Sequence, residues 1–193
     1  VALYSTFLNR AWDQVVYDVA LHRLPVIFCL DRAGITGDDG PSHHGVYDMA
    51  MLSKVPGMRV LAPSSVEDLQ QMLHDAMTLA NDGPVVIRYP KGTARHSDTV
   101  GSGLHASRIV AGDGSVAILA VGKMVGAAEQ AVAQLNDAGI RATLWDVRSC
   151  APLDPAMITD AAGHRAVLTV EDGYREGGIG LSAIDALRHA GFT

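Results

Sequence analysis

The chain has 193 residues, of which 15 are basic and 21 acidic, and its formal net charge is −6. This negative balance and the lack of a basic run argue against nucleic acid or an anionic membrane surface as the main partner, which leaves small molecules or proteins. No apolar stretch approaches the ~18 to 20 residues that a membrane span needs. The length and the 48% of hydrophobic residues allow a packed core in one large domain or two small ones, and we expect two.

The two cysteines and the start of the chain bear on its cellular setting. Cys29 lies inside a strand-like run and Cys150 lies just before Pro152, which is neither a disulfide framework nor a metal-ligand spacing. A reducing, cytoplasmic compartment is therefore expected. The chain begins on Val1 without a signal segment, in what looks like the tail of a strand, so we expect a piece of a longer protein.

Apolar patterning predicts alternating helices and strands in the first half of the chain. Residues 5–22 have apolar side chains at helical spacing after Ser5 and Thr6, either of which is a candidate N-cap. Further helices are predicted at 47–54 and from a capping box of Ser64 and Glu67 to just before residue 82, and strands at 26–30, 58–61 and 85–89. The strand segments are continuously apolar and rich in β-branched residues, which favours a parallel sheet covered on both faces.

A second α/β unit is predicted after a segment without periodicity. Strands are expected at 115–121, 142–147 and 166–170, and helices at 124–138, from Asp154 and Pro155 onward, and at 181–189. We therefore predict the α/β class with two parallel or mixed-sheet domains. They comprise residues 1–93 and 107–193, joined by a surface linker at 94–106.

The glycine loop, residues 31–45 with the sequence DRAGITGDDGPSHHG, is the most informative segment because it directly follows the strand at 26–30. Parallel α/β proteins bind ligands beyond the carboxyl ends of their strands, on loops whose glycines allow close backbone approach. The loop offers an imidazole that titrates near neutral pH, carboxylates that can orient it, and Arg32 to hold an anion. Acid–base chemistry on this loop is one interpretation, and a solvated surface loop with a structural histidine is the other.

Two further segments contain residue types that bind ions. His43 and His44 lie near Asp38 and Asp39, but adjacent histidines diverge and no third ligand stands at a recognised spacing, so no metal site is predicted. The turn at 177–180, Gly-Gly-Ile-Gly, opens a predicted helix. Its backbone N–H groups are suited to an anion, and the alternative is a tight turn that allows close packing.

Four segments together carry a family resemblance: YSTFLNRAWDQ at 4–14, the glycine loop, RYPKG at 88–92, and VLTVEDGYREGGIG, whose VED ends at residue 172. With them the chain resembles the 1-deoxy-D-xylulose-5-phosphate synthase family nearly end to end. The GDDGPSHHG portion by itself resembles the wider transketolase group of thiamine diphosphate enzymes. The resemblance implies most of a pyrimidine-binding domain followed by part of a transketolase-type C-terminal domain.

The resemblance also implies an activity. Members of the family join pyruvate and D-glyceraldehyde 3-phosphate, with loss of CO2, to give 1-deoxy-D-xylulose 5-phosphate for isoprenoid and thiamine biosynthesis by the non-mevalonate route. They are homodimeric transferases that use thiamine diphosphate and Mg²⁺. The metal and diphosphate ligands, and a glutamate that activates the cofactor, are expected outside this chain, so the 193 residues alone are expected to be inactive.

Individual residues acquire expected roles from the same resemblance. Phe7 resembles the aromatic residue that stacks on the aminopyrimidine ring of the cofactor. The residues that resemble catalytic, substrate-lining positions are Tyr4, Arg10, Arg32, Asp39 and His43, and those expected to bind the substrate phosphate are Arg10, Arg32 and Lys91. Lys91 departs from the arginine that many members carry there, and a lysine offers a compact charge in place of a planar fork.

The reaction develops negative charge on substrate oxygens, which gives these residues a physical task. His43 is expected to donate a proton or a hydrogen bond to those oxygens, Asp39 to orient an imidazole or a hydroxyl, and the arginines to neutralise carboxylate and phosphate. Two other functions stay open. One is a related thiamine diphosphate enzyme, either transketolase or the β subunit of a 2-oxo acid dehydrogenase, and the other is a non-catalytic interaction module that keeps the fold.

Overall fold

The computed structural model describes residues 1–193 and contains two β-sheets covered by helices. The first sheet comprises β1 (Ala2–Tyr4), β2 (Ile27–Asp31), β3 (Arg59–Leu61) and β4 (Val85–Arg88), together with a strand from the second half of the chain. The second sheet comprises β5 (Ser107–Val110), β6 (Val116–Ala120), β7 (Thr143–Asp146) and β9 (Ala166–Val170). The additional strand of the first sheet is β8 (Ser149–Ala151). The predicted α/β class is confirmed.

Both sheets are parallel in their centre and antiparallel at one edge. The first has the order β1-β2-β4-β3-β8, in which β8 alone runs antiparallel to its neighbour. The second has the order β5-β7-β6-β9, with β5 antiparallel to β7. Both sheets are therefore mixed, within the prediction of parallel or mixed sheets, and the antiparallel edges β5 and β8 are short segments without an apolar run.

The strand β8 joins the two halves of the chain. It follows β7 of the second sheet after two residues and pairs with β3 of the first, where Val60 lies opposite Ala151. Apolar packing continues across the same junction, since one cluster contains Val60 and Val86 of the first sheet and Leu119 of the second. The boundary between residues 1–93 and 107–193 stays a prediction, and the two sheets share a strand connection and a core.

The regular helices agree with the periodicity. They are α1 (Asp48–Leu52), α2 (Val66–Leu79), α3 (Met124–Asp137), α4 (Pro155–Ala162) and α5 (Ile179–His189). The start of α4 is confirmed, since the Asp154 carboxylate accepts a hydrogen bond from the Ala156 N–H at 2.9 Å. None of the helices is both long and apolar enough to cross a membrane.

The cap of α2 differs by one residue from the predicted box. Ser65 is the N-cap, and its Oγ accepts from the Asp68 N–H at 3.1 Å, while the Asp68 carboxylate accepts from the Ser64 N–H at 3.2 Å. The Glu67 carboxylate instead accepts from the Ser97 N–H at 3.0 Å. The prediction is wrong in register because two adjacent serines each precede an acidic residue at the same spacing.

The first helical segment is irregular and is named here the site helix. It is a 3-10 helix over Ser5–Ala11 and a π-helix over Gln14–Ala20, where a single amphipathic helix over 5–22 is predicted. Neither predicted cap operates, since the segment begins without a side-chain cap and Ser5 is buried. Mixed helix types of this kind are frequent at functional sites.

Candidate functional site

The glycine loop leaves the carboxyl end of β2 and closes on itself. Gly34 and Gly45 exchange two backbone hydrogen bonds of 2.8 and 2.9 Å, and between them lie single 3-10 turns at Gly37–Asp39 and Pro41–His43. A Cβ at Gly45 would overlap Ser5 Oγ, so glycine is required for the loop to lie against the site helix. The loop is therefore a docked structure whose side chains have fixed neighbours.

Aromatic rings from the end of β1 and from the site helix stack beside the loop. Tyr4 and Phe7 are stacked with centroids 5.6 Å apart, and the His43 ring meets Phe7 edge-on at 5.6 Å. The Arg32 guanidinium lies 3.9 Å from the centroid of Tyr4, on its ring face. Four residues, Tyr4, Arg32, Asp39 and His43, line a cavity of about 210 Å³. The structure thus brings together residues from β1, the site helix and the glycine loop.

Asp39 is the electrostatic centre of this group. Its carboxylate accepts from Lys91 Nζ at 2.6 Å and from Arg32 Nε at 3.3 Å. The hydrogen bond and charge of Lys91, with the charge of Arg32, hold the pKa of Asp39 below its ordinary value. Asp39 is therefore ionised at neutral pH and orients two cations, so it is not suited to take up a proton.

Arg32 has a strained backbone at the entrance of the loop. Its φ is +58°, a left-handed conformation that is uncommon for a residue with a side chain. The Asp31 carboxylate stabilises it by accepting from the Arg32 N–H at 2.6 Å and by an ion pair with the guanidinium. This turn directs the guanidinium back over Tyr4, and strain of this kind persists where surrounding contacts enforce it.

The two adjacent histidines have different environments. His43 Nδ1 lies 3.1 Å from Ser42 Oγ, and its ring contacts Phe7 in the cavity. His44 points away, and its Nδ1 accepts from the Thr36 N–H at 3.2 Å and lies 2.9 Å from Thr36 Oγ1. Since Nδ1 of His44 is an acceptor, the neutral ring carries its proton on Nε2. His44 thus braces the loop, and His43 is the histidine that faces the cavity.

The remaining predicted residues lie at the margins of the cluster. The Arg10 guanidinium is 5.6 Å from the Phe7 centroid, and Lys91 reaches the cluster through Asp39. On the far side of Lys91 a cleft of about 520 Å³ is lined by Arg32, Lys91, Arg95 and Lys123. All seven residues named from the sequence, Tyr4, Phe7, Arg10, Arg32, Asp39, His43 and Lys91, are therefore neighbours, and their chemical roles stay predictions.

Sequence reasoning missed a buried ion pair beneath the site. Asp48 and Arg88 are joined at 3.0 Å, with side chains 0% and 3% exposed. Asp48 also accepts from Ser5 Oγ at 3.0 Å, which ties the start of the site helix to the pair. Burial disfavours the Arg88 charge, but the charge and hydrogen bonds of Asp48 outweigh it and raise the pKa of Arg88. Arg88 lies in the RYPKG segment that carries part of the family resemblance, but nothing in the sequence identified Asp48 as its partner.

The anion at the Gly-Gly-Ile-Gly turn belongs to the protein. The Glu171 carboxylate accepts from the Ile179 N–H at 2.9 Å and from the Gly180 N–H at 3.0 Å, at the start of α5. A Cβ at Gly180 would lie 2.7 Å from Thr169 Oγ1, so the turn is also tightly packed. Both sequence-based interpretations of this turn hold in part, and the Ile179 and Gly180 N–H groups bind the Glu171 carboxylate in place of an external anion.

No group of three or more His, Cys, Asp and Glu side chains converges in residues 1–193 in a way that could hold a metal ion. Asp38 and Asp39 therefore do not combine with His43 and His44 as ligands. The side chains that line the cavity are one guanidinium, an ionised carboxylate, an imidazole and a phenol, and Lys91 adds a second cation beside Asp39, which suits an anionic organic ligand.

Comparison with known proteins agrees with this architecture. Residues 1–96 match the family model of the transketolase pyrimidine binding domain, and residues 105–193 match that of the transketolase C-terminal domain. Proteins named 1-deoxy-D-xylulose-5-phosphate synthase are 40% identical in Gloeobacter violaceus over 100% of this chain, 44% in Leifsonia xyli subsp. xyli over 99%, and 45% in Frankia casuarinae over 98%. The chain belongs to the 1-deoxy-D-xylulose-5-phosphate synthase family. It spans 30% to 31% of the length of these relatives.

Two solved structures place the synthase-family chain in the transketolase fold. A split-gene transketolase, described as an inactive beta4 tetramer, superposes with a TM-score of 0.85 at 26% identity, over 97% of this chain and 62% of that one. A transketolase mutant from Pichia stipitis superposes with a TM-score of 0.74 at 16% identity, over 99% of this chain and 34% of that one. The likeness to the Pichia stipitis protein concerns the fold alone. In the split-gene transketolase, the region that matches this chain makes up 62% of the polypeptide.

Proposed function

We propose that this chain forms the substrate-facing wall of a thiamine diphosphate-dependent 1-deoxy-D-xylulose-5-phosphate synthase. The complete enzyme would be a transferase that condenses pyruvate with D-glyceraldehyde 3-phosphate and releases CO2. Family membership supports the reaction class. The observation that carries the proposal is the stacked pair of Tyr4 and Phe7, with His43 edge-on to Phe7, beside the ionic array of Arg32, Asp39 and Lys91.

Phe7 is the residue of this chain that fits the cofactor. Its side chain is 40% exposed although Tyr4 stacks on it, so part of the aromatic surface is free to receive a flat heterocycle. Thiamine diphosphate, when bound, supplies the carbanion that attacks the carbonyl of pyruvate. The Mg²⁺ that accompanies the diphosphate in this family finds no converging ligand group in these residues, and we assign it none here.

His43 is proposed to exchange protons with the substrate oxygens. It is the only imidazole that lines the 210 Å³ cavity, and its edge-on contact with Phe7 fixes the ring near the face of the proposed cofactor. General acid–base catalysis by a positioned histidine contributes about 10² to 10⁴ in rate. Asp39 would act indirectly, because it is ionised and bound to both Lys91 and Arg32.

The cations are proposed to hold the anionic ends of the substrates. Arg32 offers a planar guanidinium above Tyr4, and its remaining N–H groups suit a carboxylate or a phosphate. Lys91 lines the 520 Å³ cleft and contributes a point charge at the boundary between cleft and cavity. Arg10 completes the set beside Phe7. We also propose a homodimeric, cytoplasmic enzyme, as the family resemblance implies.

Product analysis on the complete protein tests the reaction. The assay supplies pyruvate and D-glyceraldehyde 3-phosphate, and separately a ketose donor and an acyl carrier, and identifies products by mass spectrometry. We expect 1-deoxy-D-xylulose 5-phosphate from the first pair alone, and a His43→Ala variant that makes it at least ~100-fold more slowly. His189→Ala, at an exposed histidine of α5, is the matched control. Products from the ketose donor or the acyl carrier instead would assign the chain to another thiamine diphosphate enzyme.

A further inference from the structure

The second half of the chain holds the glycine loop by the backbone of a single residue. The Ile35 N–H donates to the Asp172 carboxylate at 3.0 Å, and the Ile35 carbonyl accepts from Lys123 Nζ at 3.2 Å. Asp172 and Lys123 also form an ion pair with each other, and the Asp172 side chain is only 11% exposed. Two opposite charges from outside the loop thus bind both backbone polar groups of one loop residue, as a neighbouring strand does in a sheet.

Gly34 permits this contact. Its φ is +80°, and a Cβ at this position would overlap the Asp172 carboxylate. Glycine allows the carboxylate to approach the loop backbone directly. This contact explains why position 34 is a glycine, for which the acid–base chemistry of the loop gives no reason.

Asp172 is also connected to the opposite wall of the site. Its backbone carbonyl accepts from Arg88 Nη2 at 3.2 Å, and Arg88 is paired with the buried Asp48, which binds Ser5 Oγ. The loop with Asp39 and His43, and the site helix with Phe7, are therefore connected to the same residue. Neither Asp172 nor Lys123 lines the 210 Å³ cavity.

We propose that Asp172, with Lys123, is a positioning residue of this site. The pair binds the N–H and the carbonyl of Ile35. In this way it holds the glycine loop, which places Asp39 and His43 opposite Phe7. The inference rests on the proposed function for its catalytic consequence, whereas the clamp itself is a property of the fold. Charge-assisted hydrogen bonds are stronger than hydrogen bonds between neutral groups, so such a clamp holds the loop more firmly than backbone contacts alone.

Amide hydrogen exchange on the full chain tests the clamp without reference to catalysis. Asp172→Asn and Lys123→Met are compared with Asp113→Asn, which alters a carboxylate that accepts a backbone N–H in an exposed turn. We expect exchange at residues 33–45 to accelerate at least tenfold in the first two variants, with β4 and β6 unchanged and no effect in the control. Unchanged exchange at 33–45, or equal acceleration throughout the chain, would overturn the proposal.

Steady-state kinetics of the complete enzyme test the catalytic consequence. We expect Asp172→Asn to lower kcat at least tenfold while the apparent affinity for thiamine diphosphate stays within twofold, because Phe7 belongs to the site helix. At Lys123, the charge-conserving Lys123→Arg variant should keep kcat within threefold of the wild type, whereas Lys123→Met should not. A loss of cofactor affinity equal to the loss of kcat, or no rescue by arginine, would contradict a positioning role. If the loop loosens but the product is not 1-deoxy-D-xylulose 5-phosphate, the proposed function fails and the clamp stands.

Discussion

Asp146 provides a quantitative test of how burial at the junction of the two sheets affects stability. It ends β7 with a residue exposure of 3%, and its carboxyl accepts from the Arg148 N–H at 3.2 Å. Burial and then the nearby charge of Asp68 raise the pKa of Asp146 from 3.8 to about 7, although Ser64 and Arg148 counteract both effects. The carboxyl is therefore protonated in the folded protein over a range in which it is ionised in the unfolded chain.

The sign and size of the effect follow from linkage. A group whose pKa is raised by folding contributes stability that is fully present below its unfolded pKa and is lost as the pH rises through its folded pKa. For Asp146 the difference between 3.8 and about 7 corresponds to ~4 kcal/mol, lost at up to ~1.4 kcal/mol per pH unit. Asp146→Asn keeps a neutral group of the same shape and removes this loss.

Denaturant unfolding of the wild type and Asp146→Asn between pH 4.5 and 7.5 measures the difference. Subtracting the two free energies of unfolding cancels the titration of the eight histidines, which are common to both proteins. We expect the free energy of unfolding of the variant, relative to that of the wild type, to rise by ~1.4 kcal/mol per pH unit up to about pH 7. Above that pH the difference should stay constant. Asp137→Asn, at an exposed carboxylate without an ion-pair partner near the end of α3, is the control that should show no such trend. A difference that stays constant with pH would refute the reasoning.

Four further changes probe the site and its support. His43→Ala in the complete enzyme should lower kcat by at least ~100-fold and the free energy of unfolding by less than ~0.5 kcal/mol, since the ring lies at the cavity surface. Asp48→Asn should cost about 3–5 kcal/mol in urea unfolding because it leaves Arg88 charged and buried. Gly34→Ala should cost at least ~1–3 kcal/mol, because its φ of +80° is unfavourable for alanine and the added Cβ would overlap the Asp172 carboxylate. Lys91→Met should raise the pKa of Asp39 in a carbon-detected NMR titration, because the hydrogen bond of Lys91 lowers it.

Each of these expectations has an outcome that contradicts it. Steady-state kinetics of His43→Ala equal to the wild type would remove the imidazole from the mechanism. A stable Asp48→Asn protein would mean that the buried pair is replaceable by neutral hydrogen bonds. Wild-type stability of Gly34→Ala would contradict the close approach of Asp172, and an unchanged Asp39 titration would show that Arg32 alone holds its charge.

The sequence by itself determined the class of fold and the location of the site. Apolar patterning together with helix-start signals such as Asp154-Pro155 sufficed for α2 to α5 and for the central strands, because such signals lie within the segment itself. The glycine loop was identified by its position after β2 and by its residue types, and the resemblance to synthase sequences assigned Tyr4 and Phe7 as its partners. These are properties of single segments or of motifs.

Tertiary structure alone decided which segments meet. The pairing of β8 with β3, the buried Asp48–Arg88 pair, and the bond from Ile35 to Asp172 join residues separated by tens to more than a hundred positions. No local pattern encodes such contacts. From the sequence a charged residue is predicted to be solvent-exposed, and only the packing shows that it is buried beside an opposite charge. Likewise, Glu171 satisfies the N–H groups of the turn at 177–180 only because β9 ends beside the start of α5. The candidate site residues lie in motifs of the first half of the chain, whereas Asp172 and Lys123, which contact the backbone of the glycine loop, come from the second half.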